Sequence, residues 1–268
     1  MDIGSLIGLL AGIVFVVVSI LINGDWQMSA VGEFADAPSV MIVIGGSFAS
    51  AFIAFPLQLV IKGLSAAKFA FMPPTYDHAD AITRIITLSN LARREGVLAL
   101  EETAQNMEDP FLQKGIMLVV DGADPELVRS VLETEMSFVE NQHNDLRSVW
   151  DLIASMGPAW GMVGTMVALV LMMGSLTDID ALARNMALAM ITTFYGAILA
   201  NFLAIPISRK LSVLNSQEML LKEVLIEGIL SIQNGENPRI IEEKLKAFLA
   251  PSLRSKDGDG SPDGGGGA

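Results

Sequence analysis

Apolar positions along this chain gather into four runs, residues 3–22, 40–61, 152–177 and 185–208, that contain no Asp, Glu, Lys or Arg. A helix needs roughly 20 apolar residues to cross a hydrocarbon core, so each run predicts a membrane-spanning helix. Between and after the runs the pattern changes to ordinary amphipathic spacing. Ile82, Ile85, Ile86 and Leu91 recur near helical intervals over residues 80–93, and Gly96 follows as a natural stop. A further helix is predicted over residues 110–121. Asp124-Pro125 then supplies a cap and a proline at the first helical position, opening a helix that runs toward Trp150. Asn237-Pro238 repeats that start and predicts a short last helix with Ile240, Ile241, Leu245 and Phe248 on one face. The patterning of the third and fourth spans continues through Asp151 upstream and over residues 209–232 downstream, so both are expected to extend beyond the membrane as continuous helices. No segment alternates with period two for long. The predicted fold class is therefore an all-α membrane protein, with four transmembrane helices and a helical cytoplasmic domain built from residues 62–147 and the C-terminal region.

Charge placement orients these elements. Net charge is −13, yet no Lys or Arg precedes Lys62, and the cations cluster over residues 62–147 and 209–256. Lys/Arg-rich flanks stay inside, which puts those segments and both termini in the cytoplasm. Residues 1–61 then hold two peripheral spans, 62–147 a cytoplasmic domain, 148–208 two further spans, 209–250 cytoplasmic helices, and 251–268 a Ser/Asp/Gly tail expected to be disordered. The first run lacks a basic leader and is followed by a second span, so it reads as a retained helix and not a signal peptide. The chain has no cysteine, which excludes thiol chemistry and Cys-based metal sites. His78 and His143 stand alone in polar surroundings, and the acidic balance argues against nucleic-acid binding. No nucleophile, base and orienting group assemble from any motif, so no enzyme is predicted.

Two features carry functional weight. Small residues repeat at Gly4, Gly8 and Gly12 in the first span, at Gly157, Gly161 and Gly164 in the third, and at Gly196, Ala200 and Ala204 in the fourth. Such ridges allow helices to approach closely. The third and fourth spans also carry Pro158 and Thr165 seven residues apart, and Thr192, Thr193 and Asn201. A lone threonine in a span usually bonds its own preceding turn, whereas hydroxyls at comparable depth on two helices make a water- or ion-lined seam. No span holds an ionisable group of the kind that ion translocation uses. A conducted cation would need a carboxylate from another polypeptide. In the soluble part, the run Leu91-Ala-Arg-Arg-Glu-Gly-Val-Leu-Ala-Leu-Glu-Glu102 sets two cations and two anions around a glycine. That pattern serves either a solvated, locally paired face or a docking surface for a charged partner.

That run, with Gly157-Pro-Ala-Trp-Gly-Met-Val-Gly-Thr165, Thr192-Thr-Phe-Tyr-Gly196 and Asn234-Gly-Glu-Asn-Pro-Arg239, resembles the MotA/PomA flagellar stator A subunits in order and spacing, nearer the sodium-type PomA branch. The resemblance implies a MotB- or PomB-like B subunit that supplies the missing aspartate and grips peptidoglycan. It also implies an assembly of five A and two B chains in the bacterial inner membrane, surrounded by lipid, with the third and fourth spans at the centre. By position, Pro158 and Pro206 match the family's two functional prolines, and Thr165 and Thr193, with Thr192 nearby, the hydroxyls beside the partner's aspartate. Arg93, Arg94, Glu101 and Glu102 match positions facing the rotor protein FliG, and Asp36 an external acid linked to sodium entry. Trp160 departs from the smaller residue usual at its place. The resemblance implies no bound cofactor. The Thr165, Thr193 and Asp36 set favours transported sodium over a proton, because a desolvating cation needs oxygen ligands. Other readings are an ExbB/TolQ-like energiser and a passive membrane scaffold.

Overall fold

Helices account for nearly the whole of residues 2–248, which the computed structural model describes; the tail predicted to be disordered lies outside them. In order they are α1 (Ile3–Asn23), α2 (Met28–Gly32), α3 (Ala37–Ala54), α4 (Leu57–Ala66), α5 (Lys68–Phe71), α6 (His78–Glu95), α7 (Leu100–Gln105), α8 (Pro110–Val120), α9 (Pro125–Met173), α10 (Ile179–Gln233) and α11 (Pro238–Lys246). Four of these, α1, α3, α9 and α10, are long and apolar enough to span a membrane. No strand occurs among the described residues.

The caps expected at Asp124 and Asn237 are formed, and Asp77 and Asp109 add two more. Asp77, Asp109 and Asn237 each accept a backbone N–H from the first turn of the helix they cap, and Asp124 accepts the Glu126 N–H. Proline follows the cap in α8, α9 and α11, where its missing N–H costs nothing. Gly96, Gly122 and Gly235 follow helix ends with φ of 87°, 74° and 67°, a region that side chains disfavour. The third span is one end of a 49-residue helix, and the fourth continues to Gln233, so both run on as the patterning predicted.

The second span departs from its charge-free run. Its helix begins at Ala37, behind the Asp36 cap, and ends at Ala54, so residues 55–61 do not continue it. Phe55 is extended and Pro56 starts a new helix: proline disfavours helical geometry in the residue before it and cannot donate to the preceding turn. The absence of charge marked the run, but backbone chemistry divides it. The last helix shows a smaller departure. Ile241 and Leu245 are fully buried and Phe248 packs beside them, but Ile240 is mostly exposed, lying off their face.

The described residues divide into two units, 2–74 with 141–214, and 75–140 with 215–248. The first contains the apolar helices around a core that includes Val43, Val60, Val149, Ile153, Leu199 and Ile207. It reaches past the charge-free runs because Trp150 donates its indole N–H to the Gly63 carbonyl at 2.8 Å, and Arg147 donates to Ser212. The second is an ordinary helical core: Ile85, Leu100, Phe111, Ile116, Leu132, Ile229 and Leu245 are among its fully or almost fully buried side chains. Gly228 admits Ile85 and Gly115 admits Ile229, each at a distance a Cβ would forbid.

An ionic network braces that second unit. Glu227 accepts from Arg129 at 3.1 Å and from Lys244 at 2.5 Å, joining α9, α10 and α11, while Arg129 also reaches Glu133. Burial alone would raise the Glu227 pKa, but the hydrogen bonds from Lys244 and Arg129 win and hold it below the usual carboxylate range. A depressed carboxylate stabilises the fold above its unfolded pKa of about 4.3 and loses that contribution as pH falls below it. Glu227→Gln should therefore cost about 1 kcal/mol at neutral pH, as partly exposed pairs do. In chemical denaturation the deficit should shrink as pH falls below about 4 and the carboxylate is protonated; a deficit independent of pH would contradict the ionic origin.

Candidate ion-path site

Helices α9 and α10 meet through glycine. A Cβ on Gly196 would lie 2.6 Å from the Gly157 carbonyl oxygen, and one on Gly161 3.0 Å from the Thr192 carbonyl oxygen. Gly164 receives the Thr192 side chain, which a Cβ there would meet at 2.5 Å. The ridges read from the third and fourth spans thus face each other. The first span differs: Gly12 is closely overlaid by the Phe202 ring, Gly8 faces open space, and Gly4 touches only its own cap, Asp2.

This close approach brings hydroxyls from the two helices together. Thr165 and Thr193 lie 2.9 Å apart, oxygen to oxygen. The Ala189 carbonyl is within reach of three hydroxyls, Thr165 at 3.2 Å, Thr192 at 3.1 Å and Thr193 at 3.2 Å. A carbonyl has two lone pairs, and the helix itself directs the Thr193 N–H toward this one. The hydroxyls therefore compete. Thr165 has the Gly161 carbonyl as an alternative at 3.1 Å, and Thr192 has that of Leu188 at 3.0 Å. Thr193 has no such second carbonyl among its described bonds; its alternative is Thr165 itself. It is also the exposed member, while Thr192 is fully buried and Thr165 intermediate. The exposed hydroxyl can give its proton to an ionised carboxylate, or keep it on the carbonyl and offer lone pairs to a cation or a carboxylic acid.

No acidic side chain of these helices reaches that hydroxyl. Asp151 is the nearest acid before Thr165, about 21 Å away along the helix axis at 1.5 Å per residue, and Asp180 lies about 20 Å from Thr193. Asp151 is also engaged elsewhere in the fold. Asp151 accepts from Ser208 at 2.5 Å and pairs with Arg147 at 3.4 Å, and Asp180 lies in the first turn of α10, its N–H bonded to the Asp178 cap.

The remaining residues singled out from sequence stand apart from the hydroxyl cluster. Pro158 lies within α9 on an exposed face, removing the helix bond to the Ala154 carbonyl, and its Cα borders Gly196. Pro206 is exposed just after a π-helical stretch, Ile198–Ala204, in which the wider turn absorbs the disrupted ladder. Asn201 bonds back to the Ala197 carbonyl. Asp36 caps α3, accepting the Ser39 N–H at 2.8 Å and its hydroxyl at 2.5 Å. Trp160 points at the second span: its ring fills the space over Gly46 and its indole N–H donates to Ser50 at 2.9 Å. Its bulk is taken up by α3, away from the threonines.

Arg93 and Arg94 end α6, and Glu101 and Glu102 begin α7, separated by Gly96 and a 3₁₀ turn, Val97–Ala99. Cations at a helix C-terminus and anions at an N-terminus complement the helix dipoles, which accounts for their order. All four are exposed, and no ion pair joins the two cations to the two anions among the described residues. Charge of both signs thus stands exposed around one turn.

Three bonded groups had no sequence signal as a set. The Ala189 carbonyl is backbone. Asp151 with Ser208 spans 57 residues. Asp2 takes the Ser5 hydroxyl at 2.8 Å and the Lys210 ammonium, and its own N–H donates to the Phe71 carbonyl at 2.9 Å. The Lys210 bond holds the Asp2 carboxyl down at about 2.

Comparison with known proteins agrees with this architecture. Residues 103–224 match the MotA/TolQ/ExbB proton channel family. The chain is 40% identical to motility protein A of Borreliella burgdorferi over 89% of its own length and 92% of the relative's. It is 37% identical to chemotaxis protein PomA of Vibrio alginolyticus, over 97% of this chain and all of that one, 100%. The flagellar MotAB stator complex from Bacillus subtilis contains a chain that superposes with a TM-score of 0.83 at 27% identity, covering 93% of this chain and 98% of that one. Matched over most of its length by such relatives, the chain belongs to the MotA/PomA motility proteins of the MotA/TolQ/ExbB proton channel family.

Proposed function

We propose that this chain is the ion-conducting, torque-generating A subunit of a flagellar stator, and that the Thr165–Thr193 pair forms one wall of its ion path. The observation that carries the reading is a cluster of competing hydroxyls between two spans that hold no carboxylate of their own. A B subunit supplies that carboxylate from its single span. While ionised, it accepts from Thr193; once a cation has neutralised it, the hydroxyl turns its lone pairs toward the site. The contact that holds the partner thus changes with each ion. One charge crossing 100 mV supplies about 2.3 kcal/mol, so ion flow can drive a ring of A chains stepwise around the B helices without nucleotide.

The rest of the proposal follows from charge placement and the family. Both termini face the cytoplasm of a bacterial inner membrane, five A chains surround two B chains, and the exposed Arg93, Arg94, Glu101 and Glu102 push FliG. Sodium is the proposed ion, the proton its alternative, because the cluster offers several oxygens to a desolvated cation. The test is swimming speed of a stator-deleted host expressing this chain and its partner, with and without sodium at fixed pH. Speed should fall on sodium removal and vanish when the partner's membrane aspartate becomes asparagine. Undiminished speed without sodium assigns the proton instead. Rotation persisting with asparagine overturns the borrowed carboxylate.

A further inference from the structure

Away from the hydroxyl cluster, in the same unit, α1, α5 and α10 enclose a cavity of 280 Å³. Its walls are apolar, including Leu9, Phe71, Phe202 and Pro206, and Ser5 and Lys210 make it polar at one end. That size falls just below the usual range for small-molecule sites, and the division into an apolar body and a cationic end suits an amphiphile. Position narrows the class. Within the unit, α1 exposes almost its whole length, Leu21 being its buried residue, so the cavity adjoins an apolar, span-length helix that the rest of this chain leaves uncovered. Lys210 follows Arg209 directly after the fourth charge-free run, and basic pockets between spans at a cytoplasmic flank recruit anionic headgroups.

We infer that this cavity is a site for an anionic phospholipid, with one acyl chain between α1 and α10 and the phosphate on Lys210. An ammonium has three donors; Asp2 takes one, leaving two for phosphate oxygens. Asp2 therefore both competes for Lys210 and repels the incoming headgroup. The site is separate from the ion path, and its existence does not rest on which cation is carried. Because Pro206 lines it, its occupant touches the fourth span at the residue where the helix ladder is interrupted.

Three variants distinguish the lipid site from a merely structural ion pair. Gly8 lines the cavity and an added Cβ there meets no atom within 4 Å, so the Gly8→Leu side chain starts into open space and competes with an occupant for it. The probe is dioleoylphosphatidylglycerol, with dioleoylphosphatidylcholine as the neutral comparison, titrated into the purified complex of this chain with its B partner and counted by native mass spectrometry. The parent should retain phosphatidylglycerol in preference to phosphatidylcholine. Gly8→Leu should weaken retention roughly tenfold, the effect of losing burial of about two methylenes. Lys210→Gln should abolish the headgroup preference, and Asp2→Asn should strengthen phosphatidylglycerol binding. Equal retention of the two lipids by the parent overturns the inference. So does Gly8→Leu binding like the parent, or Asp2→Asn losing lipid in parallel with Lys210→Gln, as a structural brace requires. No lipid on the assembled parent also overturns it, since the cavity is then filled by a neighbouring copy.

Discussion

Thr193→Val should cripple rotation while the protein still folds, inserts and assembles. Valine keeps the branched shape and replaces the hydroxyl with a methyl, so packing against α9 is preserved. What disappears is the exposed oxygen 2.9 Å from Thr165, the one group of the cluster placed to exchange its proton between an internal acceptor and a carboxylate. A hydrogen bond to a charged group contributes about 1.5–3 kcal/mol, and each 1.36 kcal/mol is tenfold in rate. Torque per stator should fall at least about tenfold by that measure, read from bead rotation in a stator-deleted host. Thr193→Ser should restore most of it. Thr192→Ser, a change at the buried hydroxyl, should be much milder. A passive scaffold predicts no loss from any of these, so normal torque in Thr193→Val would remove the ion-path reading.

Gly196→Val should sharply impair folding and assembly. Its Cβ would stand 2.6 Å from the Gly157 carbonyl oxygen and 3.3 Å from the Pro158 Cα. The obstruction is backbone, which cannot rotate away, so α9 and α10 must separate. Overpacking of this kind costs about 1–3 kcal/mol and occasionally more, and here separation also pulls Thr165 from Thr193. Thermal unfolding in detergent and the yield of the complex with its partner should both fall sharply. Gly45→Ala is the matched control, because an added Cβ there meets nothing within 4 Å; it should stay within about 0.5 kcal/mol of the parent. Equal behaviour of the two variants would contradict the close helix contact.

These expectations mix features readable from sequence with others that are not. Caps followed by proline, glycines with positive φ and charge-free runs act within a few residues, so the starts of α8, α9 and α11 and the existence of four spans were legible. The break at Phe55–Pro56 was legible in principle, but absence of charge measures solvation and says nothing about the backbone ladder. Glycine ridges were visible as ridges, whereas their partners depend on which helix arrives: Gly12 and Gly196 are closely covered and Gly8 is open. The threonines could be placed at comparable depth on two helices. That they meet at 2.9 Å is a matter of rotation about both axes, and the Ala189 carbonyl between them leaves no trace in residue identity. Trp160 illustrates the same limit, since its bulk was apparent and its direction, toward Gly46, was not.

The account turns on a carboxylate that arrives from a second polypeptide and meets Thr193. This chain has no cysteine, so Thr193→Cys introduces a unique thiol. Single cysteines placed successively along the partner's membrane span would be tested for disulfide formation under mild oxidation in native membranes, a bond that forms readily only when Cα atoms come within about 7 Å. The predicted result is a maximum at the partner's aspartate and at positions one helical turn from it. A maximum near either end of that span, with none around the aspartate, would contradict the account.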